Sequence, residues 1–309
     1  MASFIKHIIV FSFPILLFSI LMEFMLRKIP NDYSYKCKYL NENSNKIEVL
    51  ILGSSHTYYG INPQYLKENS FNAAYVSQSL NYDWDILNKY QKKWNNLKYI
   101  IVPVDYFSLY STLETGIEKW RVKNYSIYYN IQGKDLKNDF ELSSEKLSDN
   151  ITRFENYYLN DSNNITCNKL GAGTRLKFTN IQNLIETGKA AATRHTVEKK
   201  DNLLFTKNVE TIKSIVQFAK KINAKVIFIT CPAYYTYYDN LEKNQLYNTL
   251  NFITEISSNN SNMNYYNFLY DTSFTDKDFF DADHLNEIGA KKFTIKIDSL
   301  IEYKIHSSE

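Results

Sequence analysis

Short apolar runs that end abruptly at turn-forming residues constrain this chain more than any other feature. Residues 47–52 (IEVLIL) stop at Gly53, 98–104 (KYIIVPV) run into Asp105-Tyr106, and 225–230 (KVIFIT) are halted by Cys231-Pro232. Apolar runs of this length without alternation read as strands buried on both faces. Residues 71–75 and 263–269 are further candidate strands. Helical spacing lies between them. Trp84, Leu87, Tyr90 and Trp94 recur through 82–94, and Val209, Ile212, Ile215, Val216 and Ala219 share one face of 209–222. Residues 241–256 and 286–303 also read as helices. Strands separated by helices predict an α/β fold, a three-layer, doubly wound parallel sheet. Working residues are then expected past the carboxyl ends of the strands.

The pattern breaks between about 110 and 201. That stretch is polar and Tyr-rich, with one glycine cluster, LGAGTR. It is too long for a connecting loop and reads as an insertion or cap over the site. The sequence divides as 1–28, a signal anchor or transmembrane helix; 29–46, a polar tether; and 47–309, a catalytic domain carrying the 110–201 insertion.

The N-terminus sets the compartment. Ile8 through Met22 contain no charge, and the apolar stretch from Phe4 to Leu26 has Lys6 and Glu23 near its ends. That is long enough for a spanning helix, which needs about 20 residues, with the end charges able to snorkel. A cleaved signal peptide and a buried helix are the alternatives. No small-residue cleavage site lies in EFMLRKIP, which favours an uncleaved anchor. Arg27 and Lys28 flank the far side, so local charge alone leaves the orientation open.

Composition removes other classes. Hydrophobic residues make up 44% of the 309, enough for a full core. The net charge is +3, and Lys6, Arg27 and Lys28 against Glu23 supply most of it. The remainder is too balanced for a nucleic-acid binder. Twenty-six Tyr and 19 Phe suit stacking on sugar rings, although AT-rich codon usage explains such an excess equally well. Cys37, Cys167 and Cys231 form no CxxC or Cys/His zinc spacing, so neither a metal nor another cofactor is expected. In an exported chain Cys37 and Cys167 are candidates to pair; three ordinary thiols is the alternative.

Chemistry-bearing residues cluster at two distant places. Gly53-Ser54-Ser55-His56-Thr57 directly follows the first strand, and Asp281-Ala282-Asp283-His284 precedes the last helix. A serine hydroxyl needs a base to take its proton, and a carboxylate behind an imidazole fixes its tautomer. Asp281 and Asp283 both compete to be that carboxylate; the D-x-x-H spacing favours Asp281.

These blocks resemble those of SGNH (GDSL-type) hydrolases, whose nucleophile block is G-D-S-x-[ST] and whose last block is D-x-x-H. The wider context ILGSSHTYYGINP is similar to membrane-anchored relatives, the teichoic-acid D-alanine-transfer proteins and polysaccharide O-acetyltransferases. The resemblance covers 47–107 and 205–305. It implies a flavodoxin-like SGNH fold with Ser55 as nucleophile, His284 as base and Asp281 as its orienter. It also implies a single-pass anchor with the catalytic domain outside the cytoplasm. The implied partners are the membrane, a cell-surface polysaccharide or its acyl ester, and a multispanning acyltransferase. Two positions depart from the pattern. Ser54 replaces the family's aspartate, and Asp105 stands where the family places an oxyanion-stabilising Asn. Asp105 is expected to turn away, onto a backbone N–H or a basic residue such as Arg121. The oxyanion would then be held by Ser55, Ser77 and Gln78. His56, Tyr234 and Tyr235 are candidate substrate-binding residues, and His195 is expected to be solvated. The expected function is an extracytoplasmic serine esterase or O-acyltransferase. The alternatives are a non-catalytic glycan-binding or assembly protein, and a small-ester esterase or lipase.

Overall fold

The structure is a computed structural model and describes residues 1–131, 135–197 and 202–306. Parts of the expected insertion (132–134 and 198–201) and the last three residues of the expected catalytic domain lie outside the described residues. In chain order the helices are α1 (Ala2–Lys28), α2 (Asp32–Asn43), α3 (Ser55–Gly60), α4 (Leu80–Lys89), α5 (Val122–Tyr129), α6 (Glu141–Ser144), α7 (Leu147–Tyr158), α8 (Leu184–His195), α9 (Asn202–Lys221), α10 (Tyr235–Tyr238), α11 (Lys243–Ser258) and α12 (Glu287–His306). The strands are β1 (Val49–Ile51), β2 (Ser70–Asn72), β3 (Tyr99–Pro103), β4 (Lys225–Thr230), β5 (Met263–Asn267), β6 (Phe279–Asp281) and β7 (His284–Leu285).

The chain forms two compact units, one of Met1–Lys38 with Ile117–Ile165 and one of Tyr39–Gly116 with Thr166–Glu309. The division departs from the sequence expectation at two points. Residues 29–46 are not an extended tether. Asn31 caps α2 by accepting the N–H groups of Tyr33 and Ser34, each at 3.0 Å, and Tyr33, Cys37 and Leu40 bury one helical face. The expected 110–201 insertion also splits: Ile117–Ile165 joins the N-terminal unit, while 110–116 and the residues from Thr166 onward join the sheet unit.

In the sheet unit five strands pair in the order β2-β1-β3-β4-β5, all parallel. This is the doubly wound flavodoxin-like order. Side chains alternate across the sheet. On one face Val49, Ile51, Ile101, Ile227 and Ile229 pack with Phe293, Ile297 and Ile301 of α12. On the other, Leu50, Ile100, Val102, Val226 and Phe228 are fully buried, α9 lies against β4, and α4 packs on α9. The strands are apolar throughout because neither face meets water.

In the N-terminal unit, α1 carries a 26-residue apolar stretch, Ser3–Lys28, that is almost wholly unburied within the protein. Its final turns bury Met22, Leu26 and Ile29 against Leu142, Phe154 and Tyr157. Lys123 and Arg153 both reach Glu141, at 2.6 and 2.7 Å, tying α5, α6 and α7 together. Burial opposes the charged form of Glu141, and Arg153 and Lys123 outweigh it, holding the carboxyl at about 2.

Beyond β1 the chain must turn sharply into α3, and Gly53 makes that turn at φ +111°. A Cβ there would sit 2.1 Å from Pro103 Cγ and 2.8 Å from Thr57 Oγ1. Gly53→Ala therefore combines an unfavourable backbone region with overpacking. We expect it to destabilise the protein by at least about 2 kcal/mol, read as a lowered denaturation midpoint. A change within about 0.5 kcal/mol, the usual surface range, would contradict this account of the turn.

Candidate active site

The turn after β1 is fastened from several sides. Gly53 N–H donates to Asp83 Oδ1 at 2.7 Å, and Gln78 Nε2 donates to the same oxygen at 2.6 Å. Asp83 is buried, which pushes its carboxyl up to about 7 against these two hydrogen bonds. Thr57 Oγ1 donates to Leu52 O at 2.8 Å, and the Ser54 hydroxyl accepts the His56 N–H at 3.4 Å. Ser55 becomes the first residue of α3. Within that helix Ser55 and Tyr59 are the only residues not fully buried. They stand one turn apart on one face.

Asp281 and His284 stand just before the last helix, as expected, and are directly opposed partners of the antiparallel β6–β7 pair, joined through Ala282-Asp283. The hairpin is held by its surroundings. Tyr234 N–H donates to Ala282 O at 2.8 Å, Ala282 N–H to Thr187 Oγ1 at 3.1 Å, and Gln182 N–H to Phe280 O at 2.7 Å. Residues 182 and 187 belong to the stretch read from sequence as an insertion.

The two blocks meet. His284 Nε2 lies 2.8 Å from Ser55 Oγ, and His284 Nδ1 lies 2.9 Å from Asp281 Oδ1 and 3.1 Å from Oδ2. An ionised carboxylate only accepts, so Nδ1 carries the proton and the neutral ring presents Nε2 as acceptor to the serine hydroxyl. Asp281 Oδ1 also accepts the Asp283 N–H at 3.1 Å, which orients the carboxylate within its own turn.

A second carboxylate stands behind the same ring. Asp283 Oδ1 is 3.5 Å from His284 Nδ1, while its Oδ2 faces His56 Nε2 at 3.5 Å, Arg194 Nη2 at 3.4 Å and His195 Nε2 at 3.9 Å. On its far side His56 Nδ1 meets Asp105 Oδ2 at 2.9 Å, and Asp105 Oδ1 accepts the Cys231 N–H at 2.8 Å. Buried His56 thus lies between two carboxylates, with Nε2 at ion-pair distance from Asp283 but outside hydrogen-bond geometry. Burial works against the charged form of His56, and Asp105 together with Asp283 more than reverses this, carrying the imidazole to about 9. For His284 burial likewise opposes charge, and Asp283 and Asp281 raise it well above 6.5. Asp283 is held well below the usual carboxylate range by His284 and His56, against the effect of its burial. His195 goes the other way: burial lowers it to about 3, and its Nδ1 meets Tyr237 Oη at 2.8 Å.

Several sequence expectations change here. Asp105 does bind a backbone N–H, but its basic partner is His56. Arg121 belongs to the other unit and pairs with Glu118. The Gln78 amide is committed to Asp83, so it is not a free oxyanion donor. Ser77 sits in the β2–α4 loop at φ +60°. His195 is mostly buried against Phe107, with ring centroids 4.4 Å apart, rather than solvated. Tyr234 packs between two apolar clusters, whereas Tyr235 is 46% exposed. Cys37, Cys167 and Cys231 are thiols not joined in a disulfide, so Cys37 and Cys167 do not pair. Sequence reading missed Asp83, Arg194 and Tyr59, whose ring lies 6.2 Å from that of His284. Only Tyr59 had a local signal, one turn after Ser55. Donor atoms of His56, Asp283 and His284, and of His56, Asp105 and Cys231, lie within 4.8 Å of one another. The first set gives His284 Nε2 to Ser55. The second needs a thiolate, and burial, then Asp105, raise the Cys231 thiol well above its ordinary range. Neither set fits a metal well.

No protein-family model matches the chain, and no curated protein matches it in sequence. Among solved structures, it is similar to a protein provisionally described as a platelet activating factor from Streptococcus pneumonia. Identity is 10% and the TM-score 0.39, with 94% of this chain and 98% of that one covered. It is also similar to a protein provisionally described as an acylhydrolase from Bacteroides fragilis NCTC 9343, at 11% identity and a TM-score of 0.41, with 88% and 95% covered. Likeness at this level says nothing of activity.

The His56 cluster predicts a pH-dependent stability. A pKa raised from 6.5 to about 9 on folding stabilises the native state fully below pH 6.5, and that contribution is lost as pH rises through about 9. Its size is about 3 kcal/mol. Thermal unfolding from pH 6 to 10 should show a decline between roughly pH 7 and 9.5 that is smaller in His56→Gln, the remainder coming from His284, whose pKa folding also raises. Parallel curves for the two proteins would contradict the charged assignment.

Proposed function

We propose that this protein is an extracytoplasmic serine esterase or O-acyltransferase of the SGNH type, acting on acyl esters of a cell-surface polysaccharide. The observation that carries the reading is the Ser55 Oγ–His284 Nε2 contact at 2.8 Å with Asp281 2.9 Å behind the ring. His284 Nε2 takes the Ser55 proton as Oγ attacks the acyl carbon, and Asp281 stabilises the imidazolium that forms. The tetrahedral intermediate collapses, His284 gives the proton to the leaving alcohol, and the acyl group stays on Ser55. An incoming hydroxyl then gives its proton to His284 Nε2 and attacks the acyl-enzyme; as the second tetrahedral intermediate collapses, His284 returns that proton to Ser55 Oγ, restoring the serine and the neutral base. Water makes the protein an esterase; a sugar hydroxyl makes it a transferase.

The first amides of a helix have no acceptor within it, so the Ser55 N–H is the first oxyanion donor. With Gln78 engaged, the Ser77 backbone is the candidate second. Tyr59 and Tyr235 offer partly exposed rings for a sugar. The length and apolarity of α1 support a membrane anchor; a sheet unit outside the cytoplasm is the part of the proposal that rests on the resemblance of the two motifs to membrane-anchored relatives. Residence at a membrane favours transfer, with a multispanning acyltransferase as donor.

A fluorophosphonate probe tests the nucleophile. We expect one label per chain, absent in Ser55→Ala and reduced by several orders of magnitude in rate in His284→Ala. No label on the folded wild-type protein would leave a non-catalytic glycan-binding fold as the better reading.

The pH profile tests the base. His284 acts when neutral, and its pKa is raised, so it stays protonated to higher pH than an ordinary imidazole. With an aryl acetate as probe, kcat/KM should still be rising with pH above 6.5. A plateau reached below pH 6.5 would contradict the electrostatics of the two-carboxylate cluster.

A further inference from the structure

Within the N-terminal unit, α7 presents one apolar face in two halves. Leu147, Ile151, Phe154 and Tyr158 follow one another at helical spacing along it. Phe154 packs on Met22, Leu26 and Ile29 at the end of α1, and the Tyr158 hydroxyl donates to Met25 O at 3.1 Å. The other half is bare, with Leu147 62% and Ile151 42% exposed. Phe140, just before α6, is 52% exposed, and the Arg27 guanidinium lies 5.9 Å from its ring. Among the described residues, half of the exposed large apolar side chains outside α1 fall between 117 and 159. A water-facing surface does not account for that concentration.

The end of α1 fixes where this surface sits. The Glu23 carboxylate accepts the N–H groups of Glu141 and Leu142, both at 3.0 Å, and Arg27 donates to Asp139 O at 2.5 Å. Glu23 and Arg27 thus clamp the start of α6 to the last turns of α1. Between Lys6 and Glu23 the helix rises only about 25 Å, less than the roughly 30 Å hydrocarbon core of a bilayer. Filling that core draws Glu23 and Phe24 to its boundary, and α6 and the face of α7 come with them. Apolar side chains are bare on α1 as well, where Leu21 and Phe24 are 51% and 57% exposed.

We propose that Phe140, Leu147 and Ile151, beside the end of α1, bed into the boundary between lipid headgroups and acyl chains. The N-terminal unit is then a membrane-interface seat rather than a freely hydrated module. The occupant of the face is lipid. Residues 117–165 hold seven basic and eight acidic side chains, so apolar burial and not headgroup charge drives the contact. The inference rests on the reading of α1 as a membrane anchor.

The test uses the full chain reconstituted into phosphatidylcholine vesicles, with a diazirine side chain introduced at one position at a time. Position 151 reports the seat, with position 147 as a second site should the first disturb folding. Position 16 reports the anchor, and position 247, an exposed tyrosine of the sheet unit, is the water-facing reference. We expect lipid adducts by mass spectrometry at 16 and at 151 or 147, at least tenfold above 247. The yield should not change when half of the lipid is phosphatidylglycerol. Adducts at 16 without adducts at 147 or 151 would overturn the seat and leave the anchor standing. Protein cross-links in place of lipid adducts would assign the face to a second chain and overturn it as well. No lipid adduct at 16 would overturn the anchor, and the seat with it.

Discussion

The hydrogen bond between Ser55 and His284 joins residues 229 positions apart, and the rest of the site is arranged so that it forms. Neither end is held by its own helix or strand alone. Ser55 is placed by the Gly53 turn, which a buried carboxylate, Asp83, grips from α4. His284 is placed by a two-stranded hairpin that borrows its supports from α10 and from residues 182 and 187. The parallel sheet contributes the common frame. Both blocks follow strands or precede the last helix at the same end of it, where strand carboxyl ends leave room for a site.

Behind the imidazole lies an arrangement of charge that a simple triad does not require. Two carboxylates share His284 Nδ1, and the second is itself shared with His56, Arg194 and His195. A buried Asp283 without cations would be costly. The imidazolium of His56 and the partly exposed Arg194 compensate it, and Asp105 in turn holds His56. This gives a physical reason for an aspartate at 105. An Asn there would accept one hydrogen bond from Cys231 N–H but would remove the carboxylate nearest His56, leaving only Asp283 at 3.5 Å as its anionic partner. Asp105 is the foundation of an electrostatic layer behind the site rather than a group facing Ser55.

How much of this was legible follows the range of the interactions. The buried strands could be read because parallel sheets covered on both faces leave continuous apolar runs, as in IEVLIL and KVIFIT. The approach of Ser55, His284 and Asp281 followed from two motifs whose spacing carries chemistry. The tether reading failed although a signal was present. Asn31 is a cap, and Tyr33, Cys37 and Leu40 keep helical spacing, but the polar residues between them masked the stripe. The hairpin at Asp281–His284 was hidden because strands of three and two residues are too short to show a period. Arg194 and His195 were out of reach, since only tertiary packing carries the end of α8 to Asp283.

The central claim is that Ser55 carries the acyl group. Rapidly quenched intact-mass and peptide measurements on the full chain turning over an aryl acetate test it most directly. The account predicts one acetyl group per chain, located on the peptide containing Ser55, that builds up faster at alkaline than at neutral pH and is missing in Ser55→Ala. Consumption of the ester with no acetyl on that peptide, or the same adduct in Ser55→Ala, would contradict it.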